Sequence, residues 1–210
     1  MNLEVKKIVV GPVESNCYIV SLKNEGFIID PGGEFSKIDK YLKNKKIKPI
    51  FILNTHGHYD HILSNNDIIN KYKIPLWIHK KDNFMLEKPE KNLSFYMGSP
   101  FKSKKADILL HDGFKFEFFN TIWRVLHTPG HTDGSIVIFN KQNQIMFTGD
   151  TLFAEGWGRT DFPGGSRSQI KKSLKKLFCF DDDYRCYPGH GNSFVLGEKI
   201  GLIRKMLDSY

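Results

Sequence analysis

A dense group of metal-ligand side chains follows directly after an apolar run and constrains the fold more than any other feature. Segment 54–61, Asn-Thr-His-Gly-His-Tyr-Asp-His, comes after the apolar residues 50–53. Alternate side chains of an extended chain point to the same side, so His56 and His58 can reach one cation. Asp60 continues the alternation, and a turn at His61 can bring a fourth donor to a second cation. The alternative is a polar loop enriched in histidine by chance, but imidazoles this close would repel one another if protonated. The segment therefore predicts a site for two adjacent metals.

Length and composition predict one soluble globular domain over residues 1–210. The chain is 40% hydrophobic and 26% charged, and its length allows a large buried core. The formal net charge of +8 could favour nucleic acid. The lysines are dispersed, however, and lack the interleaved aromatic side chains of a single-strand binder. We therefore expect a small-molecule substrate and no nucleic-acid partner.

Targeting signals and cysteines bound the cellular compartment. No apolar stretch follows the N-terminus, and no run of about 18 apolar residues occurs. The three cysteines contain no C-x-x-C pair, so neither a disulfide framework nor a cysteine zinc site is indicated. We expect a cytoplasmic protein without a membrane segment; the oligomeric state is left open.

Hydrophobic periodicity predicts two strand-rich halves with helices appended, an α+β fold in which two mixed sheets pack face to face between outer helices (αββα). The predicted strands are 4–10, 16–22, 27–30, 47–53, 74–79, 106–110, 114–119, 121–127, 135–139, 144–148 and 184–187. The predicted helices are 35–45, 64–72 opened by a capping box at Ser64, 80–87, 167–178 and 197–208. Segment 88–105 has no clear period; it is either a substrate wall or an insertion packed on its own domain.

Three further donors stand beside glycines at predicted strand ends in the second half of the chain. They are His131 in Thr-Pro-Gly-His-Thr, Asp150 in Phe-Thr-Gly-Asp-Thr and His190 in Tyr-Pro-Gly-His-Gly. Glycine lets the backbone come close to a crowded ion. Each motif alone is typical of an ordinary turn, and only the whole set is specific.

Taken in order, these four motifs resemble the metallo-β-lactamase-fold hydrolase superfamily, and within it the compact glyoxalase II-like group. The resemblance spans about residues 8–191. It implies that His56, His58 and His131 hold one metal, that Asp60, His61 and His190 hold the other, and that Asp150 bridges them together with a water. His79, His111 and His127 match no ligand position and are interpreted as strand or turn residues.

Several positions select within the superfamily. Asp150 stands where many true β-lactamases of the superfamily have Cys, and His58 where flavodiiron oxygen reductases have Glu. The loop 156–165 resembles that of glyoxalase II-like hydrolases and also that of persulfide dioxygenases, which use a single iron. Ser135, and Pro188 with Gly191 around His190, favour the hydrolases.

The resemblance implies a thioesterase that acts on S-acylglutathione or a related acyl thioester. Asp60 would orient the attacking water and take its proton, and Arg159 would bind a substrate carboxylate. Asp161 and Asn192 stand where glyoxalase II enzymes that bind glutathione have Tyr, and their helical C-terminal domain is not seen in the sequence. A structural ion pair with Asp161 is therefore the alternative role for Arg159.

The same donors leave other enzymes and metals open. The alternatives are a mononuclear-iron persulfide dioxygenase, a lactonase or a phosphodiesterase, and outside enzymes a nucleic-acid-binding module with a structural metal. We expect two divalent metals, zinc in the first place, because His and Asp donors also accept iron or manganese.

Overall fold

The computed structural model describes residues 3–209. The chain divides into two compact units, residues 1–110 (the N-terminal unit) and residues 111–210 (the C-terminal unit). The expectation of one domain over 1–210, whose end residues lie outside the described range, stays a prediction.

The N-terminal unit contains a mixed sheet. Within residues 3–110 its six strands lie side by side in chain order, the first three antiparallel and the rest parallel. The strands are β1 (Glu4–Val10), β2 (Ser15–Leu22), β3 (Glu25–Ile29), β4 (Lys48–Asn54), β5 (Leu76–His79) and β6 (Ile108–Leu110). Parallel strands such as β3, β4 and β5 end at the same edge of the sheet, so the segments that follow β3 and β4 are neighbours.

The helices of this unit cover the sheet with apolar stripes. They are α1 (Phe35–Asn44), α2 (Tyr59–Ile62), α3 (Asn65–Tyr72) and the short 3-10 helices Asn83–Glu87 and Ser94–Met97. Ile38 and Leu42 lie four residues apart on α1 and are both buried, as a core-facing helix stripe requires. They join a core formed with strand residues such as Ile19, Ile28 and Ile52.

The start of α3 differs from the predicted capping box. Ser64 does precede the helix, but among the described residues of this helix start its hydroxyl accepts no capping hydrogen bond. Its backbone (φ −97°, ψ 6°) is far from the extended conformation of an N-cap, because the chain enters directly from α2. The predicted helix 80–87 is also shorter than expected, since only the 3-10 helix Asn83–Glu87 forms.

The C-terminal unit contains a second mixed sheet. Within residues 111–209 its six strands lie side by side in the order β12-β11-β10-β9-β8-β7, and only the β10–β11 pair is parallel. The strands are β7 (Lys115–Phe118), β8 (Thr121–His127), β9 (Ile136–Asn140), β10 (Ile145–Gly149), β11 (Arg185–Pro188) and β12 (Phe194–Val195). The parallel pair places the ends of β10 and β11, and the segments after them, at one edge.

Two helices complete the C-terminal unit, α4 (Arg167–Leu177) and α5 (Leu196–Ser209). The Ser166 side chain caps α4 by accepting from the Gln169 N–H. Ile170 and Leu174 of α4 are buried with Ile203 and Leu207 of α5 in the core of this unit. Lys175 and Lys176 in the last turn of α4 stabilise the helix, because their positive charges lie at the negative end of its dipole.

The two mixed sheets with appended helices confirm the predicted fold class. The sequence missed the short elements α2 and β12, which lack the length to show a period. Segment 88–105 packs within its own unit: the buried Asn92 donates to the carbonyls of Met85 and Phe101, while its own carbonyl accepts from the Tyr59 N–H. Along residues 3–209, none of the helices combines the length and the apolar character that crossing a membrane requires.

Candidate metal centre

The predicted donors of the N-terminal unit are buried together after β4. His56 and His58 lie in the loop that follows the strand, and Asp60 and His61 lie on α2. All four are buried, from 0% exposure for His61 to 8% for Asp60. The His56 ring centroid lies 4.8 Å from that of His58 and 4.2 Å from that of His61. His58 has the extended backbone that the predicted alternation requires (φ −71°, ψ 148°). The predicted continuation of that alternation to Asp60 is wrong, because Asp60 lies in the first turn of α2.

A further acidic residue, for which the sequence predicted no role at the site, lies beside these histidines. Asp30 follows β3 with a left-handed backbone (φ 49°) and is 1% exposed. Its Oδ2 lies 3.1 Å from Nδ1 of His61, and its carboxylate accepts from both the N–H (2.7 Å) and the hydroxyl (2.5 Å) of Thr55. A donor atom of Asp30 also lies within 4.8 Å of donor atoms of His56 and His61. The signal was present in the sequence: an Asp directly after a strand and before Pro31-Gly32-Gly33.

These contacts fix which ring nitrogen of His56 and of His61 carries the proton. A carboxylate only accepts, so Nδ1 of His61 donates to Asp30 and its Nε2 faces Oδ2 of Asp60 at 3.2 Å. The Thr55 hydroxyl donates its single proton to Asp30. Its oxygen can therefore only accept from Nδ1 of His56, which lies 3.1 Å away. Both histidines thus keep Nε2 as the ligand atom, in the carboxylate–histidine arrangement that holds metal ligands.

The backbone around this cluster is held from several sides. The Asn54 side chain donates to the His61 carbonyl (3.0 Å) and is itself bonded by Asn65 (2.9 Å). The Ser15 hydroxyl donates to the Asp60 carbonyl at 2.6 Å. Gly32 has no room for a side chain, because a Cβ there would overlap the Asp60 carbonyl oxygen and lie 2.5 Å from the Ser15 hydroxyl. The backbone that carries the donors is therefore held by side chains of three other segments.

The predicted donors of the C-terminal unit converge on one carboxylate. His131, Asp150 and His190 follow β8, β10 and β11 respectively. Oδ2 of Asp150 lies 3.5 Å from Nε2 of His131 and 3.7 Å from Nε2 of His190. Asp150 is 8% exposed and His131 4%. One oxygen thus faces two imidazole nitrogens, as expected of the carboxylate predicted to bridge two metals.

The donor set fits a divalent cation in both units. The two Nε2–Oδ2 distances around Asp150 exceed those of good hydrogen bonds, and they leave room for a cation that both kinds of atom would ligate. Imidazole nitrogen and carboxylate oxygen are the ligands of zinc, iron and manganese in proteins. No cysteine contributes to these groups.

The loop after Asp150 contains Arg159, the predicted substrate-binding residue. Nε and Nη2 of Arg159 donate to the two carboxylate oxygens of Asp161 at 2.7 and 2.6 Å, and the guanidinium lies 3.8 Å from the Phe162 ring centroid. Hydrogen bonding from Arg159 lowers the pKa of Asp161 to about 2. An open cavity of about 420 Å³ is lined by residues 155–161 and Met206. The ion pair between Arg159 and Asp161, predicted as the alternative role, does form. The role of Arg159 in binding a substrate stays a prediction.

The remaining histidines and the two buried cysteines lie at structural positions. His79 ends β5 and accepts from the Lys81 N–H, His111 contacts the Asp112 carbonyl, and His127 ends β8 with Nε2 beside the Asp133 carbonyl. Burial, with Asp30 nearby, raises the pKa of the Cys17 thiol, and burial raises the pKa of Cys186 to about 12. Neither thiol is a ready nucleophile.

Two mixed sheets with His and Asp donors at their strand ends define a metal-binding protein. The family model of the metallo-beta-lactamase superfamily matches residues 10–190, and the chain belongs to that superfamily. It is 32% identical over 210 residues to hydroxyacylglutathione hydrolase GloC of Haemophilus influenzae, with 95% of each chain covered. This supports the predicted glyoxalase II-like group.

Two solved structures share the fold over nearly their whole length. The crystal structure of BLEG-1 B3 metallo-beta-lactamase is 32% identical with a TM-score of 0.91, covering 94% of this chain and 97% of that one. The crystal structure of TTHA1623 in a di-iron-bound form is 28% identical with a TM-score of 0.85, covering 95% and 98%. Metal binding therefore accompanies this fold.

Proposed function

We propose that this hydrolase is a thioesterase of the glyoxalase II type, which cleaves S-acylglutathione or a related acyl thioester. The observation that carries the proposal is the similarity to GloC over 95% of the chain. The Asp150 carboxylate between two imidazoles adds to it, because it matches the predicted bridging ligand.

The proposed centre holds two divalent metals. His56, His58 and His131 would ligate the first, Asp60, His61 and His190 the second, and Asp150 both. Zinc is our first choice because its imidazole and carboxylate preference suits every donor. Iron and manganese accept the same donors, and the similarity to a protein crystallised with two irons supports iron as the alternative.

When bound, the two cations would lower the pKa of water and polarise the thioester carbonyl. The remaining steps belong to the side chains of the chain itself. Asp60, held against His61 and fixed at its carbonyl by Ser15, would orient the attacking water and accept its proton on the carboxylate. The thiolate leaves readily because its pKa is far below that of an amine.

Arg159, an exposed residue of the loop after Asp150, is the proposed substrate-binding residue. A planar guanidinium binds a carboxylate through two parallel hydrogen bonds. That geometry is already met by Asp161. A substrate carboxylate would therefore have to displace Asp161 or use the guanidinium edge that Asp161 leaves, which makes glutathione binding by this residue weaker than by a free arginine.

We also propose that the protein works in the cytoplasm on a small-molecule thioester, without a nucleic-acid partner. The dispersed positive charge would raise the local concentration of an anionic substrate.

Metal analysis paired with a substrate panel tests the proposal. Protein from defined medium should contain close to two metals per chain and hydrolyse S-lactoylglutathione, a chelator should remove the activity, and zinc should restore it. The panel should include a lactone, a phosphodiester and a β-lactam, because the similarity to BLEG-1 makes the last a relevant control. One iron per chain, with oxygen consumption on glutathione persulfide, would instead establish the dioxygenase. Two metals without thioester turnover would refute the thioesterase assignment.

A further inference from the structure

We propose that Gly158 is a positioning residue that sets the ring orientation and tautomer of His131 through the backbone of the loop after Asp150. The inference rests on the proposed function only in treating His131 and Asp150 as metal ligands. Two consecutive residues of this loop contact the two ligands, Gly158 contacting Asp150 and Arg159 contacting His131. The Gly158 N–H donates to the Asp150 carbonyl at 2.9 Å, and the Arg159 carbonyl lies 2.7 Å from Nδ1 of His131.

The Arg159 carbonyl decides the tautomer of His131. A carbonyl oxygen only accepts hydrogen bonds, so Nδ1 of His131 carries the proton. In the neutral ring Nε2 then holds the lone pair, and it is Nε2 that faces Oδ2 of Asp150 at 3.5 Å. The loop backbone therefore presents the ligand atom to the metal side without using any side chain of its own.

Only glycine fits at position 158. A Cβ there would overlap the Asp150 carbonyl oxygen and lie 2.7 Å from Nδ1 and 3.0 Å from Cγ of the His131 ring. Gly158 is not one of the glycines with a positive φ. The requirement is therefore one of space, because any side chain would have to move the His131 imidazole, the Asp150 carbonyl or the loop itself, and each of these moves disturbs the contact between the ring and the Arg159 carbonyl.

The exposed Arg159–Asp161 pair has a structural role in this arrangement. The guanidinium is held by two hydrogen bonds to Asp161 and by the face of Phe162. This restrains the residue whose carbonyl holds His131. The pair thus restrains the orientation of a buried ligand although its own side chains lie in solvent.

Long-range ¹H–¹⁵N spectra of metal-free protein labelled in its histidine rings test the inference at one fixed pH. The His131 signals are assigned by their loss in His131→Asn. Wild type should show the Nδ1–H tautomer, and Gly158→Ala should lose it or show a mixture. Gly201→Ala is the matched control, because a Cβ at this glycine of α5 meets nothing within 4 Å.

Cobalt binding gives the second reading. Gly158→Ala should bind Co²⁺ about 10- to 100-fold more weakly, with a changed visible spectrum, as expected when the support of a ligand is lost. If Gly158→Ala does not fold, Asp161→Ala replaces it, and the Nδ1–H of His131 should then exchange faster with solvent than in wild type.

The outcomes separate this inference from the proposed function. An Nδ1–H tautomer that Gly158→Ala disturbs, or whose exchange Asp161→Ala accelerates, supports the positioning role whether or not thioesters are hydrolysed. An Nε2–H tautomer in wild type overturns it even in an active thioesterase. Unchanged tautomer and cobalt affinity in a folded Gly158→Ala, or unchanged exchange in Asp161→Ala, also overturns it.

Discussion

Nδ1 of the buried His61 lies 3.1 Å from Oδ2 of Asp30, so that the residue after β3 orients a donor on α2. The same carboxylate accepts both hydrogen bonds of Thr55. One acidic side chain thus supports two histidines, directly for His61 and through the Thr55 hydroxyl for His56.

Asp30→Asn should weaken metal binding by about 10- to 100-fold. The amide NH₂ of asparagine would face the hydrogen-bond donors of Thr55 and His61, which require an acceptor. Chelator competition with zinc measures the effect. Asp67→Asn, the same change at an exposed position of α3, should leave the affinity unchanged. Equal affinity of Asp30→Asn and wild type would show that the carboxylate does not support the ligands.

His58→Ala and Asp150→Ala should each reduce turnover to background, because each removes a ligand of the proposed centre. Metal content should fall in parallel with activity. His111→Ala is the control, since this exposed histidine contacts its chain neighbours Asp112 and Phe114 and is not one of the proposed ligands. Near-normal turnover in either ligand variant would refute the dinuclear centre.

Gly32→Ala should destabilise the metal-free protein by about 1–3 kcal/mol or prevent folding, because the new methyl overlaps the Asp60 carbonyl oxygen. Urea unfolding measures the change. Gly98→Ala separates space from backbone strain, since Gly98 has φ +74° but a Cβ there meets nothing within 4 Å. A smaller loss for Gly32→Ala than for Gly98→Ala would contradict the steric argument.

Arg159→Ala should raise KM about 10-fold if the guanidinium binds a substrate carboxylate. Because the change also removes the pair with Asp161 that restrains the Arg159 backbone beside His131, a smaller fall in kcat should accompany it. Arg159→Lys keeps the charge but loses the planar fork, so its KM should lie between the two. Unchanged KM in both variants would leave Arg159 as the ion-pair partner of Asp161. The melting temperature should hardly change, because exposed ion pairs add little stability.

Acid should destabilise the N-terminal unit partly through Asp39. Burial acts to raise its pKa, but hydrogen bonds from Lys71, Tyr72 and Lys43 outweigh it and lower the pKa to about 2, from an ordinary 3.8. A depressed folded-state pKa stabilises above the unfolded value, and this contribution is lost as pH falls from about 4 to about 2.

Urea unfolding of metal-free protein between pH 2 and 5 measures this loss. Asp39→Asn should remove up to about 1 kcal/mol of the pH dependence, after allowance for solvent screening. Glu90→Gln, a charge-removing change at an exposed position, should leave the slope as it is. An unchanged slope in Asp39→Asn would mean that its ion pairs do not differ between folded and unfolded chains.

The sequence alone predicted most of the secondary structure, because long strands and helices repeat their apolar residues with a period that burial on one face imposes. It also predicted the donors after β4, since three histidines and an aspartate within six residues have few other uses. His131, Asp150 and His190 were harder, because each motif alone is an ordinary turn, and the family resemblance was needed to join them.

Only the tertiary structure decided which groups orient the donors. Asp30 and Thr55 are 25 residues apart in the chain and meet because β3 and β4 are parallel neighbours. The Arg159 carbonyl reaches His131 across 28 residues, and Gly158 owes its lack of a side chain to that approach. The sequence determined which atoms can bind a metal, because that depends on residue type. The tertiary structure determined which ring nitrogen of His56, His61 and His131 carries the proton, because that depends on partners brought together by folding.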